Sequence, residues 1–493
     1  MIERASLSPF GTARELFLAA HPEQNSLSSS DLKGLVLRLM ERVRLYNLDG
    51  QLVQLALEMV QWEKTLEPEE AETLLLVITA SLIMLQQGST RLPLFAQEAE
   101  EYINSVFTTL LRDGDDQEQA VVTKAKDILK VAREILERNK ACSVVGAYGE
   151  YKPLIFAQPY LYHHKLLRLE ERFSERLTTL LSADIQPFDQ KKLGKCLDEI
   201  DRAPYTLSRE QRTTVLAAVN SPFTIISGGP GTGKTSVVVS ILRVLLKLGI
   251  SPENIALSAP TGKAAHRMGE SIRNALGNIG GEAKRIRDIT DPRTLHRLLG
   301  YSPSTGRFSN HEHNRLTEQF VFIDEGSMID LFLMERLMRS LRDDARLVLI
   351  GDADQLPSVE AGAVFRDLLS AGENRGRTSS LSGHVVTLIE NYRMSEKDPS
   401  GRNILSVAKA IKAGDGAPLF EGEFPDGISV AERVADLVFD RVELLTGTGS
   451  VKGLDSFLDS WYASRIKLPG GLAGLIRKHY RYGKDGFGER DCK

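Results

Sequence analysis

At 493 residues, 42% of them hydrophobic and 26% charged, the chain is too long for one ordinary core and has the composition of a soluble globular protein of two to four domains. A formal net charge of −4 excludes a uniformly basic coat, so any contact with nucleic acid must come from a local patch. Three separated cysteines, Cys142, Cys196 and Cys492, form no CxxC pair, which argues against a disulfide framework or a thiolate metal site and fits reduced thiols in the cytoplasm.

Residues 1–182 read as mostly helical. Leu32, Leu35, Leu39 and Val43 recur at helical spacing behind a serine and aspartate cap, and residues 69–85 and 118–136 repeat the pattern. The opening Met1-Ile2-Glu3-Arg4 lacks the apolar core of a secretion signal, and no run approaches a membrane span. The longest apolar run, 74–85, contains Thr79 and Ser81 and reads as a buried helix. Leu154-Ile155-Phe156 is a short β-like piece. His163 and His164 invite a metal reading, but no third ligand lies at a useful spacing, which favours a surface or packing role. The region holds no catalytic pattern, and both a docking surface for a partner and a self-contained structural domain remain open. Residues 183–206 turn polar and read as a linker.

The segment Leu207-Ser208-Arg209-Glu210-Gln211 follows. An amide such as that of Gln211 offers one donor edge and one acceptor edge, which matches adenine, although a glutamine on a helix is also ordinarily just solvated. The apolar run Phe223-Thr224-Ile225-Ile226-Ser227 then enters Gly228-Gly229-Pro230-Gly231-Thr232-Gly233-Lys234-Thr235, and a helix-like segment spans 236–248. This is the G-x-x-x-x-G-K-[ST] phosphate loop in its required setting, strand before and helix after. Its glycines let backbone N–H groups turn inward around phosphate oxygens, and the helix N-terminus adds positive potential. Lys234 is placed for the β- and γ-phosphates of ATP, and the Thr235 hydroxyl for Mg²⁺.

Four more apolar runs end in polar turns. Residues 255–258 lead to Ala259-Pro260-Thr261-Gly262-Lys263, 320–323 to Asp324-Glu325-Gly326-Ser327, 347–350 to Gly351-Asp352-Ala353-Asp354-Gln355, and 385–389 to Glu390-Asn391-Tyr392-Arg393. Continuous rather than alternating apolar runs suit strands covered on both faces, as in a parallel α/β sheet. Ligands of such sheets bind beyond the carboxyl ends of the strands, where all these turns would lie.

Asp324 is therefore expected to hold Mg²⁺ opposite Thr235, and Glu325 to orient and deprotonate the attacking water, although one acidic pair after a strand can also be a helix cap. Gln355 can read the γ-phosphate and change partners when it leaves. Arg393 would supply positive charge to the transition state, or form a surface salt bridge. Between 262 and 315 there are ten Lys+Arg against five Asp+Glu, a local excess of +5 that includes Lys263, Arg267, Arg293 and Arg297. Nucleic-acid phosphates are its natural complement, and a solvated face the alternative.

The ordered set LSREQ, SGGPGTGKT, SAPTGKAAHRM, TLHRLLGY, FVFIDEGSMID, LIGDADQLPSVEAGAVFRDLL and LIENYR resembles the superfamily 1 DNA helicases, most of all the RecD-type alpha subunit of bacterial exodeoxyribonuclease V. The resemblance covers 207–393 and, more loosely, the N-terminal region through GSTRLPL and the stretch from PLIF to LYHH. It implies an α/β fold with a RecA-like P-loop NTPase domain and a helical N-terminal domain. It also implies an ATP-driven motor moving 5′ to 3′ on single-stranded DNA, in a heterotrimer with beta and gamma subunits that processes broken DNA ends for repair and recombination. By the resemblance Gln211 recognises adenine, residues 228–235 hold the phosphates, and Asp324 and Glu325 serve Mg²⁺ and water. Gln355 couples the states, and Arg393 contacts the γ-phosphate. Pro260, Thr261, Lys263, Thr294 and His296 fall where the family touches the DNA strand, and no membrane is involved.

The implied domains are 1–182 for docking partners, 183–206 as linker, 207–384 as the first motor lobe, 385–468 as an incomplete second lobe and 469–493 as a tail. Two departures accompany the resemblance. Gly326 stands where the family usually has alanine. No glutamine follows Gln355, so a late T-x-H-x-x-Q-G-like turn is missing, and Arg465 is the nearest candidate for a second arginine finger. The expectation is weak hydrolysis and unwinding by the chain alone, and the alternative reading is a nucleotide-binding scaffold subunit without motor activity.

Overall fold

The computed structural model describes residues 30–46, 48–95, 106–111, 118–201, 206–276, 286, 288–289, 291–355, 362–373, 380–392, 399–413, 429–431, 436 and 442–445. The chain divides into two compact units, Met1–Gly229 with Gly233–Ile389, and Pro230–Thr232 with Glu390–Lys493.

Among the described residues of the first unit, helices α1 (Ser30–Arg42), α2 (Gln51–Gln61) and α3 (Pro68–Gln86) come first. Proline at the start of α3 and a reciprocal box between Glu67 and Glu70 fix where it begins. Apolar on every side from Leu74 to Ile78, α3 is the central member of a core shared with α1, α2 and α4 (Glu118–Glu137). The region is not wholly helical. Strands β1 (Arg91–Pro93), β2 (Val145–Ala147), β3 (Leu154–Ala157) and β4 (Tyr160–His163) form a sheet in the order β1-β4-β3-β2. Of these, only β3 is visible as a local apolar run, because the others are short and β1 finds its partner far along the chain. His163 Nε2 lies 3.4 Å from the Ser81 carbonyl oxygen, and the His164 ring meets Tyr151 edge-on at 4.8 Å.

Helix α5 (His164–Leu181) leaves this sheet and packs on the second core of the unit, burying Leu169, Phe173, Leu177 and Leu180 there. Residues 183–206, read as a linker, carry helix α6 (Gln190–Ile200). Asp189 caps α6 through the Lys191 and Lys192 amides, and Leu193, Leu197 and Ile200 pack with α7 (Arg209–Asn220) and α8 (Lys234–Leu248).

The second sheet joins β5 (Phe223–Gly228), β6 (Ile255–Ala259), β7 (Arg293–Thr294), β10 (Phe320–Ile323), β11 (Arg346–Gly351) and β12 (Val385–Leu388) in the order β12-β5-β11-β10-β6-β7. Every pairing is parallel. The two faces have separate cores. Val321, Ile323, Leu347 and Leu349 pack on the side of α5 and α11 (Leu331–Ser340), while Phe320, Phe322, Val348 and Ile350 pack on the side of α6, α7 and α8. Both alternating sets of side chains are buried, which is why these strands are continuously apolar in sequence. Strand β12, placed by the sequence reading at the start of a second lobe, belongs to this sheet as the neighbour of β5. The remaining elements of the first unit are α9 (Gly262–Leu276), α10 (Leu295–Leu298), the hairpin of β8 (Tyr301–Ser302) and β9 (Arg307–Phe308), and α12 (Val364–Glu373).

In the second unit the described residues include α13 (Pro399–Ala413) and the parallel pair β13 (Ser429–Ala431) and β14 (Glu443–Leu445). Arg465 and Cys492 lie outside the described residues, Cys142 is exposed and Cys196 is buried. No helix among the described residues is long and apolar enough to cross a membrane.

Candidate functional site

The carboxyl ends of the parallel strands bring the candidate residues together. Strand β5 delivers Gly228 and Gly229, and α8 opens at Lys234. Gly231 and Gly233 have φ of 87° and 85°, the left-handed conformation that glycine alone adopts without cost, so the glycines at these two positions are conformational requirements. The Lys234 ammonium donates to the carbonyls of Gly228 and of Gly229, the latter at 3.1 Å. It thus folds over its own loop, where a phosphate would compete for it. In the second unit the Asn391 side-chain amide donates to the Pro230 carbonyl at 2.8 Å, and the Tyr392 N–H to that of Gly231 at 2.9 Å. Thr232 is buried.

Strand β10 ends at the acidic pair. The Asp324 N–H donates to the Ser258 carbonyl at 2.9 Å, and the Glu325 N–H donates to Asp324 Oδ1 at 2.9 Å. Glu325 has φ 54°, a left-handed conformation uncommon for a side chain of its size and of the kind that persists where function requires it. Burial pushes the Asp324 carboxyl above its ordinary range, against the Glu325 N–H and the positive charges of Lys234 and Arg267. Glu325 is raised by burial and then by repulsion from Asp324, and more weakly from Asp352, with Lys234 and Arg267 again opposing. Lys234 and Arg267 thus act on both carboxyls of the acidic pair, and Asp352 on Glu325. Strand β11 lies between β5 and β10 in the sheet, and the turn after it carries Asp352 and half-exposed Gln355, whose N–H donates to the Asp352 carbonyl at 3.2 Å.

Thr235 and Asp324 supply hard oxygen donors, and among the described residues no group of three or more His, Cys, Asp or Glu could hold a metal by itself. That donor set fits Mg²⁺, which takes one or two protein oxygens and completes its shell with water and substrate phosphate. The desolvated Asp324 and the neighbouring Glu325 fit it too, since a bound cation would favour the charged form of both carboxylates.

Buried Gln211 closes a capping box: its N–H donates to Ser208 Oγ at 3.2 Å, and its Oε1 accepts the Ser208 N–H at 3.2 Å. One face of the amide that would read adenine is therefore engaged in starting α7. The neighbouring Glu210 accepts the Ile389 N–H at 3.2 Å, fastening α7 to the end of β12. Arg393 lies outside the described residues.

The residues expected on DNA converge at the other end of the sheet. Strand β7 runs parallel to β6 with Thr294 opposite Ala259, so Thr294 stands beside the turn through Pro260, Thr261 and Gly262. Both threonines cap helices: Thr261 Oγ1 accepts the Ala264 N–H at 3.1 Å, and Thr294 Oγ1 accepts the Arg297 N–H at 3.3 Å. Pro260 and Thr294 are half-buried, whereas Thr261, Lys263 and His296 are exposed. Part of the local positive excess is spent internally, on Arg293 with Glu318 at 2.5 Å and Arg273 with Asp291 at 3.2 Å.

Sequence reasoning missed Arg267, Asp352 and Phe365. All three lie inside motifs already singled out, Arg267 as part of the basic excess assigned to nucleic acid, and only the fold shows which groups face each other. Phe365, fully buried, fills the space beside the acidic turn: a Cβ on Gly326 would stand 3.0 Å from its ring, and one on Gly351 would stand 2.8 Å away.

A family model described as an AAA domain matches residues 211–361. The chain is 36% identical over 271 residues to the RecBCD enzyme subunit RecD of Mycobacterium tuberculosis, covering 54% of this chain and 44% of that protein. It is 37% identical over 226 residues to the RecD subunit of Haemophilus influenzae, covering 45% and 35%. To the ATP-dependent RecD2 DNA helicase of Deinococcus radiodurans it is 31% identical over 309 residues, covering 60% and 36%. The chain spans less than half the length of these curated relatives. The matched segment is similar to RecD-named helicase subunits, and its parallel sheet gives an α/β fold behind a largely helical N-terminal region.

Proposed function

We propose that this chain is an ATP-dependent DNA helicase subunit that moves 5′ to 3′ on single-stranded DNA, in an assembly with beta and gamma subunits of exodeoxyribonuclease V type that processes broken ends for repair and recombination. The observation that carries this reading is that Lys234, which opens α8 directly after the glycine loop, acts electrostatically on Asp324 and Glu325 at the end of β10. The RecD-named relatives supply the assembly, and the RecD2 relative the motor activity.

In this reading Lys234 exchanges the Gly228 and Gly229 carbonyls for the β- and γ-phosphates of ATP. Thr235 and Asp324 would hold Mg²⁺, which would supply positive charge against the phosphates. Glu325 lies beside a second carboxylate that raises its proton affinity, which suits it to take a proton from the attacking water. Gln355 follows β11 between the loop strand and the acidic strand, where it can sense the γ-phosphate, and Arg393 adds positive charge to the transition state. Gln211 retains its amide nitrogen for adenine. Pro260, Thr261, Lys263, Thr294 and His296 hold the strand at the far end of the sheet, so that nucleotide and DNA act on one rigid lobe.

The experiment is unwinding of 5′-tailed and 3′-tailed duplexes by the chain together with its beta and gamma partners. Unwinding of the 5′-tailed substrate with ATP, lost in Lys234→Ala, is expected. The non-motor scaffold predicts unwinding unchanged by Lys234→Ala, and a preference for 3′ tails would overturn the polarity.

A further inference from the structure

The segment that follows β12 sends two donors to the tip of the phosphate loop. The Asn391 side-chain amide donates to the Pro230 carbonyl at 2.8 Å, and the Tyr392 N–H donates to the Gly231 carbonyl at 2.9 Å. Both bonds lie inside one compact unit, which joins Pro230–Thr232 to Glu390–Lys493. The donors are themselves held, since the Tyr392 hydroxyl donates to Glu390 Oε2 at 2.7 Å and Asn391 is half-buried.

Peptide geometry gives these bonds a consequence beyond packing. In a planar trans peptide the C=O and the N–H point in opposite directions, so a donor that fixes one carbonyl also aims the N–H of the next residue. Asn391 thereby aims the Gly231 N–H, and Tyr392 aims the Thr232 N–H. Both accepting carbonyls face the same short segment, so both N–H groups face away from it, and a phosphate nest works only when successive N–H groups turn to one side. The need for an outside hold is greatest here, because Gly231 sits at φ 87° and glycine has the widest choice of peptide orientation. Lys234 cannot supply that hold. Its ammonium donates to the carbonyls of Gly228 and Gly229, and it would leave them on turning to a phosphate. The Asn391 amide is uncharged and is drawn to the phosphates far less, so it stays on Pro230 while they bind.

Resting on the reading of this lobe as an ATP-driven motor, we infer that Asn391 is a positioning residue for nucleotide: it acts through the Pro230–Gly231 peptide, holding the Gly231 N–H in the direction that a phosphate oxygen requires. The loop N–H groups serve phosphates that ADP and ATP share. Loss of Asn391 therefore weakens ADP as well as ATP, which separates its role from that expected of Arg393 at the γ-phosphate.

The test is fluorescence titration of the full chain with mant-ADP, with melting temperature measured in parallel without nucleotide. Asn391→Ala and the similarly sized, donor-free Asn391→Leu should each weaken mant-ADP binding about tenfold or more, the worth of one hydrogen bond to a charged group, with only a small change in melting temperature. Asn391→Gln keeps the amide and should recover much of the affinity. Binding by Asn391→Leu equal to that of the wild type would overturn the donor role and leave the motor reading intact. So would affinity that falls only in step with melting temperature and is not recovered by Asn391→Gln, the result expected of a purely structural residue. Absence of mant-ADP binding by the wild type would overturn the nucleotide reading itself.

Discussion

The Gly362 N–H donates to the Gly88 carbonyl at 2.8 Å, joining the turn after α3 to the approach to α12. Gly362 has φ 106°, and a Cβ there would meet Leu331 Cβ at 2.7 Å and the Leu331 backbone nitrogen at 3.2 Å. Gly88 has φ 90°, with nothing within 4 Å of such an atom. The two glycines therefore separate backbone strain from crowding. Gly88→Ala should cost about 1–2 kcal/mol from conformation alone. Gly362→Ala should add about 1–3 kcal/mol of overpacking against the helix that follows the acidic turn. Denaturant unfolding of both variants measures the difference, and equal effects would show that Leu331 yields freely.

Phe365 predicts a coupled pair. Gly351→Ala alone should destabilise by about 1–3 kcal/mol, because the ring is enclosed and its Cζ would stand 2.8 Å from the new carbon. Combined with Phe365→Leu it should cost less than the sum of the two single changes, by about 0.5 kcal/mol or more. A double-mutant cycle by thermal unfolding checks this, and strict additivity would remove Phe365 as the reason that glycine is needed there. At Gly326, where the resemblance leads one to expect alanine, a Cβ would meet the same ring at 3.0 Å.

Arg176 ties α5 to the end of α11. It donates to the carbonyls of Met338 at 3.1 Å and Leu341 at 2.8 Å, and pairs with Asp343 at 2.7 Å. The Asp343 contact is exposed and of little worth by itself, whereas the two carbonyls at a helix end would lose a charged donor. Arg176→Ala should lower stability by about 2 kcal/mol and Asp343→Ala by well under 1 kcal/mol. Chemical denaturation of the two variants tests the ranking.

The acidic pair predicts a pH-dependent penalty. Burial raises both Asp324 and Glu325, so the native state binds these protons more tightly than the unfolded chain does. The penalty is absent below the ordinary values of 3.8 and 4.5, grows as pH rises, and is complete above the raised native values. Asp324→Asn and Glu325→Gln should therefore each melt above the wild type at neutral pH without nucleotide, and converge with it as pH falls into the acid range. Scanning calorimetry across that range decides it, and a lower melting temperature at neutral pH would contradict the electrostatic account.

Five strands of the parallel sheet were legible because they are written as continuous apolar runs that each end in a turn with its own chemistry, whereas the two-residue, half-buried β7 carries no such run. Helix α6 was less so: Leu193, Leu197 and Ile200 carry helical spacing, but the charged residues between them resemble a linker until Asp189 is recognised as a cap. The N-terminal sheet was hidden because three-residue strands such as β1 and β2 carry no periodicity of their own. At the site, the residue types named the chemistry, whereas partnerships across the fold could not be read. Gln211 fits adenine by its amide, yet the S-x-x-Q spacing from Ser208 equally marks the capping box it closes. Arg267 and Asp352 became members of the site only once the sheet set them against Glu325.

The central claim is that Lys234 and Glu325 serve one phosphate reaction that DNA governs. The measurement is ATP turnover with and without single-stranded DNA for the wild type, Lys234→Ala and Glu325→Gln, with nucleotide binding followed in parallel. DNA should stimulate the wild type. Each variant should lose roughly 100-fold or more of that turnover, with Lys234→Ala also weakening nucleotide binding and Glu325→Gln retaining it. Turnover in either variant equal to that of the wild type, or indifferent to DNA in all three, would contradict the account.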